Sequence, residues 1–125
     1  MIIVTGGAGF IGSNLINKLT LKKNFEVVSV DQKNEQNKSY FLNKNLKKIL
    51  PNELESFLKK NIKKIIAIVH LGAITSTTEK NLKLIIKNNL ELSIFLWNWC
   101  IKNNKRLIYA SSAATYGNGI NGFDD

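Results

Sequence analysis

The sequence predicts an α/β fold, a partial doubly wound parallel sheet with strand order beginning 3-2-1-4-5. Three observations predict it. Strand and helix signals alternate along the 125 residues. Ile65 to Val69 is a continuous apolar run, as a strand buried on both faces requires. A cluster of glycines stands where the first strand signal gives way to the first helix signal.

The elements follow in order. Ile2 to Thr5 is a short β-branched run that ends at glycines. Ile11, Leu15, Ile16 and Leu19 then recur at helical spacing. Glu26 to Val30 is the second strand, and Asp31 ends it. Residues 32–50 are polar and rich in lysine and asparagine; they allow only a weak edge strand near Leu46 to Leu50. Pro51 opens a helix whose apolar face carries Leu54, Phe57 and Leu58. After the buried run at Ile65 to Val69, an amphipathic helix is expected from about Glu79 to Lys102, with Leu82, Ile86, Leu90, Phe95, Leu96 and Cys100 on its apolar side. Arg106 to Ala110 is the next strand. From Gly117 to Asp125 neither period is present, so the chain reads as cut rather than finished.

Composition narrows the function. With 44% hydrophobic and 22% charged residues, the chain has the balance of one globular domain. No apolar run reaches the roughly 18 residues of a membrane span, and no basic and apolar leader precedes the first strand, so a cytoplasmic protein is expected without a membrane partner. The net charge of +9 invites a nucleic-acid partner, but lysine carries it, scattered among asparagine and isoleucine, and Arg106 is the single arginine. No nucleic-acid partner is expected. Cys100 has no metal-ligand neighbours and sits in an apolar helical pattern, so it reads as a packed core thiol; no metal site is expected.

The glycines carry the chemistry. Gly6, Gly7, Gly9 and Gly12 lie in Thr-Gly-Gly-Ala-Gly-Phe-Ile-Gly, after a strand and before a helix, and Asp31 ends the following strand. In that context the pattern is a dinucleotide-binding (Rossmann) fingerprint. Glycine permits the tight turn and lets the backbone approach a pyrophosphate, Gly12 lets the helix pack closely, and the helix start offers N–H groups and the positive end of its dipole. Asp31 is placed to accept hydrogen bonds from the adenine ribose.

The spacing Gly6-x-x-Gly9-x-x-Gly12 resembles that of the short-chain dehydrogenase/reductase superfamily, and the full segment resembles its extended branch, the NAD-dependent epimerases and dehydratases. His70-Leu71-Gly72-Ala73, Ser76-Thr77-Thr78-Glu79 and Tyr109-Ala110-Ser111-Ser112-Ala113-Ala114-Thr115-Tyr116-Gly117 extend the resemblance. Within the branch they are most similar to the ADP-heptose 6-epimerases of lipopolysaccharide core precursor synthesis. The resemblance implies that residues 1–125 are a dinucleotide-binding domain truncated before the catalytic Tyr-x-x-x-Lys segment and the substrate domain.

It also implies roles for particular residues. Phe10 and Ile11 sit beside the cofactor pyrophosphate with Gly6, Gly9 and Gly12, while Asp31 and Gln32 address the adenosine ribose. Lys38 stands near the 2′-phosphate of NADP. Leu71, Gly72, Ala73, Ile74 and Thr75 line the central ribose and phosphate, and Asn88 reaches the cofactor from the long helix. Ser76, Thr77 and Ser112 face the substrate, an ADP-sugar in the full-length enzyme, and Ser112 is the catalytic serine. The implied cofactor is NADP, with NAD as the alternative that Asp31 favours, because its charge repels a 2′-phosphate.

Plainer readings stand beside these. Lys38 also fits a solvated lysine, and Asn88 or Asn89 an exposed asparagine. Ser76 to Glu79 also fits the capped start of a helix. His70, at the end of a buried strand, reads as a packed and hydrogen-bonded histidine rather than a base. Trp97 and Trp99 cover the sheet or a second copy in a homo-oligomer.

The implied chemistry is an isomerisation, inversion at C6 of an ADP-linked heptose by transient oxidation with the bound cofactor. No Tyr-x-x-x-Lys follows Ser112, and Tyr116 belongs to a Thr-Tyr-Gly turn, so the isolated chain is expected to be inactive. Two alternatives stay open: a non-catalytic dinucleotide-binding module, and another NAD-dependent nucleotide-sugar epimerase or dehydratase.

Overall fold

The computed structural model describes residues 1–22, 25–38, 41–76, 78–120, 122 and 123. Five parallel strands form one sheet: β1 (Ile2–Thr5), β2 (Val27–Val30), β3 (Lys47–Ile49), β4 (Ala67–His70) and β5 (Arg106–Tyr109). Their order is β3-β2-β1-β4-β5, as the alternating pattern predicts. β1 is central and pairs in register with both β2 (Ile2 with Val27) and β4 (Ile2 with Ala67). All residues of β1, β2 and β4 are buried.

Alternation along the strands divides the core into two layers. Ile3, Val28 and Ile68 join Leu54, Phe57 and Leu58 of α3 (Leu54–Asn61) and Leu96 and Cys100 of α5 (Leu92–Lys102) on one face. Ile2, Val4, Val27 and Val69 join Ile16 of α1 (Phe10–Leu21) on the other, with Leu15 and Leu19 packed beside it. Helices on both faces make the sheet doubly wound. Cys100 is the packed core thiol expected of it, and burial pushes its thiol up from the ordinary value.

Several boundaries differ from the sequence pattern. A short helix, α2 (Lys33–Lys38), occupies the polar stretch where no helix was expected. Its anchor is Gln36, a polar residue that apolar periodicity cannot detect. Gln36 is buried, and its Nε2 donates to the carbonyls of Asp31 (2.9 Å) and Ile49 (2.8 Å), joining the ends of β2 and β3. β4 starts at Ala67, two residues after the start of the apolar run, and ends at His70, one residue past it. Ile65 is buried but its N–H donates to Asn61 at the end of α3, so its burial belongs to the helix–strand connection. The long helix begins at Leu82, where Asn81 caps it by accepting from the Leu84 N–H at 3.1 Å. That places the cap five residues after Ser76, and the Ser76 hydroxyl instead lies 2.8 Å from that of Thr78. After α4 (Leu82–Ile85) the helix passes through a π-helical turn, Ile86–Glu91, before α5.

β5 is an edge strand with three of its four residues exposed. Ile108 lies in register with Val69, on the face that α1 covers further along the sheet, and is itself uncovered.

Candidate functional site

The expected site residues gather at the carboxyl ends of the parallel strands, around the point where the chain leaves β1 in one direction and β4 in the other. In a doubly wound sheet this switch point is where a crevice opens.

The glycine loop is shaped by contacts that a side chain would break. Gly6 takes φ +65°, and a Cβ there would lie 2.6 Å from the Gly72 nitrogen. The first loop and the loop after β4 therefore touch backbone to backbone. A Cβ on Gly12 would lie 2.1 Å from the Gly6 carbonyl oxygen, so the first turn of α1 can rest on the loop only with glycine at this position. Gly9 is the N-cap of α1 and offers no side chain to close the helix end. The first turn of such a helix has backbone N–H groups without intrahelical acceptors, which suits an anion. Phe10 and Ile11 flank that end with 86% and 67% exposure, unusual for apolar residues at a helix start.

Asp31 closes one side of the loop. Its Oδ2 accepts from the Ala8 N–H at 3.0 Å and its Oδ1 from the Gln32 N–H at 2.8 Å. The carboxylate thus braces the glycine loop as well as presenting charge beside it. Gln32 is exposed just before α2 and Lys38 closes that helix; the Lys38 side chain lies outside the described residues.

The loop after β4 forms the opposite side. Leu71 donates its N–H to the Thr5 carbonyl at 3.1 Å, and Gly72 donates to the Thr5 hydroxyl at 3.3 Å. Asn89 then grips Ile74 by both backbone groups: its Oδ1 accepts from the Ile74 N–H at 2.7 Å, and its Nδ2 donates to the Ile74 carbonyl at 2.9 Å. Ala73 and Thr75 lie on either side of this clamp and are exposed. Sequence reasoning singled out Asn88 of the adjacent pair. Asn88 is half-buried and its Nδ2 donates to the Leu84 carbonyl of its own helix at 2.8 Å. The loop clamp is Asn89, and nothing in two consecutive asparagines tells which one faces the loop.

His70 lies beneath this loop, 3% exposed and hydrogen-bonded at both nitrogens, as its place at the end of a buried strand suggests. Burial holds its pKa below the ordinary 6.5. Its ring stands 5.9 Å from that of Tyr109.

Ser112 lies beyond β5, joined to β4 through the Ala110 N–H, which donates to the His70 carbonyl at 3.1 Å. It is exposed, and its Oγ accepts from the Ala114 N–H at 3.2 Å, capping a 3-10 turn at Ala113–Tyr116. Ser76 is exposed ahead of the long helix, and Thr77 lies outside the described residues. The structure therefore sets Gly6 directly against Gly12 and Gly72, while Asp31 reaches the same loop through Ala8, Leu71 is tied to Thr5 and Ile74 is held by Asn89. Ser76, Asn88 and Ser112 stand on neighbouring segments without a contact to that group among those described.

The NAD dependent epimerase/dehydratase family matches residues 2–124. A protein of Fusobacterium nucleatum named ADP-L-glycero-D-manno-heptose-6-epimerase is 40% identical over 129 residues, an alignment that covers all of this chain and 39% of that protein. Among solved structures, a UDP-glucuronic acid 4-epimerase from Bacillus cereus in complex with NAD superposes with a TM-score of 0.75 at 29% identity, over 93% of this chain and 41% of the other. The ADP-L-glycero-D-manno-heptose-6-epimerase of Helicobacter pylori superposes with a TM-score of 0.67 at 28% identity, over 94% and 40%. The chain spans about 40% of the length of these relatives. With a match that runs through every strand and helix of the sheet, the protein belongs to the NAD dependent epimerase/dehydratase family.

Proposed function

We propose that this chain is the dinucleotide-binding part of an ADP-heptose 6-epimerase, with NADP as its cofactor. One observation carries the reading. Gly6 and Gly12 leave no room for a Cβ because the glycine loop packs directly against Gly72 and the first turn of α1, and this tight loop stands among the N-terminus of α1, Asp31 and the loop after β4. This is a cradle suited to a dinucleotide: backbone N–H groups for the pyrophosphate, a carboxylate at the ribose side, and a second loop across from them. The relative from Fusobacterium nucleatum supports the heptose assignment within the family.

Each residue then has its own task. Phe10 and Ile11 bind phosphate through the backbone at the helix start, beside Gly9, whose own N–H is held by the Gly6 carbonyl at 3.1 Å. Asp31 and Gln32 orient the adenosine ribose. Asp31 already accepts two amides, which offsets part of its charge, and Lys33 on α2 adds positive charge nearby; both favour tolerance of a 2′-phosphate. A preference for NAD is the competing reading, carried by the same carboxylate. Leu71 to Thr75 and Asn88 hold the middle of the cofactor, while Ser76, Thr77 and Ser112 orient the sugar. When bound, a nicotinamide dinucleotide supplies hydride removal and return. Ser112 holds the hydroxyl at the reacting carbon, and a proton acceptor must come from chain outside these residues, because no Tyr-x-x-x-Lys follows Ser112.

The test is interconversion of ADP-L-glycero-D-manno-heptose and its C6 epimer, followed by separation of the two sugars. The 125-residue chain is expected to show no turnover, and a form extended by a Tyr-x-x-x-Lys segment and a substrate domain is expected to interconvert them. Turnover by the short chain, or conversion of only a different nucleotide sugar by the extended form, contradicts the proposal.

A further inference from the structure

Beneath the second loop, five groups form a chain of hydrogen bonds whose proton directions are all determined. Ser93 donates its hydroxyl proton to the Asn89 carbonyl at 2.7 Å. A serine has one such proton, so at its 2.9 Å contact with His70 Nε2 the Ser93 oxygen must accept. The proton of His70 therefore resides on Nε2. Nδ1 is then a bare acceptor, and the Thr5 hydroxyl donates to it across 2.6 Å. With its proton spent, the Thr5 oxygen accepts the Gly72 N–H at 3.3 Å. The order runs from the Gly72 N–H through Thr5, His70 and Ser93 to the Asn89 carbonyl. Asn89 then turns back to the same loop through its side chain, holding both backbone groups of Ile74.

The chain links three elements that no single contact joins: β1 through Thr5, β4 through His70, and the long helix through Asn89 and Ser93. Asn89 lies in the π-helical turn, an irregularity that is rare in helices and frequent at functional sites. Both ends of the chain act on one segment. Gly72 is set against Gly6, closer than any side chain would allow, and Ile74 is fixed two residues on.

We propose that His70, Ser93 and Asn89 are positioning residues for the dinucleotide, which hold residues 72–74 against the glycine loop through this proton-ordered relay. None of them needs to touch the cofactor. The proposal rests on the reading of the site as a dinucleotide cradle, and its tests separate the relay from that reading.

The first test is the tautomer, read from the side-chain 15N shifts of histidine in the labelled protein, with His70→Gln identifying the signals by their loss. At pH 7.5 Nε2 is expected at the shift of a protonated nitrogen and Nδ1 at that of a bare one. A proton on Nδ1, or rapid exchange between the two forms, overturns the relay. The second test is dinucleotide affinity. Asn89→Ala and Ser93→Ala are each expected to weaken NADP binding about tenfold, the loss of one or two net hydrogen bonds. Ser93→Thr, which keeps the hydroxyl, is expected to restore it, and Lys87→Ala, on the same π turn, to leave it unchanged. Wild-type affinity in Asn89→Ala overturns the positioning role. Should Asn89→Ala fail to fold, Asn89→Asp replaces it; that variant keeps the acceptor for the Ile74 N–H and loses the donor, and wild-type affinity in it is equally fatal. A wild-type protein that binds no dinucleotide removes the site reading and the positioning role with it, while the tautomer still decides whether the relay exists.

Discussion

Asp31 reaches across from the end of β2 to accept the backbone N–H of Ala8 at 3.0 Å, inside the glycine loop. The residue usually regarded as a ribose acceptor is thus also a brace for the pyrophosphate loop. Its second oxygen holds the Gln32 N–H at 2.8 Å. Removing the carboxylate takes away a ligand group and loosens the loop together.

Asp31→Ala is therefore expected to weaken NAD binding by about 10–100-fold, the loss of hydrogen bonds to a charged acceptor. NADP binding is expected to weaken less, because the same change removes a negative charge facing the 2′-phosphate. Calorimetric titration of both dinucleotides into the variant checks this. An equal loss for the two would show that the brace outweighs the charge.

Gly12→Ala tests the close approach of α1 to the loop. Its Cβ would lie 2.1 Å from the Gly6 oxygen, against backbone that cannot turn aside as a side chain can. A loss of about 1–3 kcal/mol in unfolding free energy is expected, the usual cost of overpacking, together with loss of dinucleotide binding. Urea unfolding monitored by circular dichroism measures the first and titration the second.

The buried imidazole of His70 gives stability a pH dependence. Burial sets its folded pKa below 6.5, the value of an unperturbed histidine, so at falling pH the unfolded chain takes up the proton first. The contribution of His70 is fully present above about pH 6.5 and is lost as pH falls from there toward the folded pKa. Below that pKa the loss levels off. Urea unfolding from pH 8 to pH 5 is expected to show this decline in the wild type, and the difference between wild type and His70→Gln isolates it from carboxylate titration. A difference that does not vary with pH would contradict a neutral buried histidine.

The sheet was readable in the sequence because its causes are local. Ile2 to Val4 and Ala67 to Val69 are apolar where a strand covered on both faces must be, and the glycines stand where backbones touch. What escaped was polar and tertiary. Gln36 anchors α2 by donating to carbonyls of two strands, a bond no period in the sequence reveals. Asn88 and Asn89 look alike in a row, yet a π turn separates their roles: one bonds its own helix and the other grips Ile74. Asp31 was legible as a carboxylate after the second strand, but its bond to Ala8 depends on how the loop folds back.

Ser112 is exposed and its hydroxyl oxygen caps a short turn, so little of the fold depends on it. In a form that supplies the tyrosine and lysine, Ser112→Ala is expected to lower turnover by 100-fold or more, an estimate on the order of one lost transition-state hydrogen-bond donor. Dinucleotide affinity is expected to stay within about twofold of wild type, since the residue lies beyond β5 and away from the glycine loop. Steady-state kinetics and titration on the same preparation separate the two effects.

The most direct test of the site is an amide chemical-shift map of the protein titrated with NADP and NAD. Saturable shifts are expected at Ala8 to Gly12, at Asp31 and Gln32, and from Gly72 to Thr75, with the far ends of the strands unmoved. Shifts that fail to saturate with either dinucleotide, or that cluster away from the glycine loop, would contradict a dinucleotide site at this place in the fold.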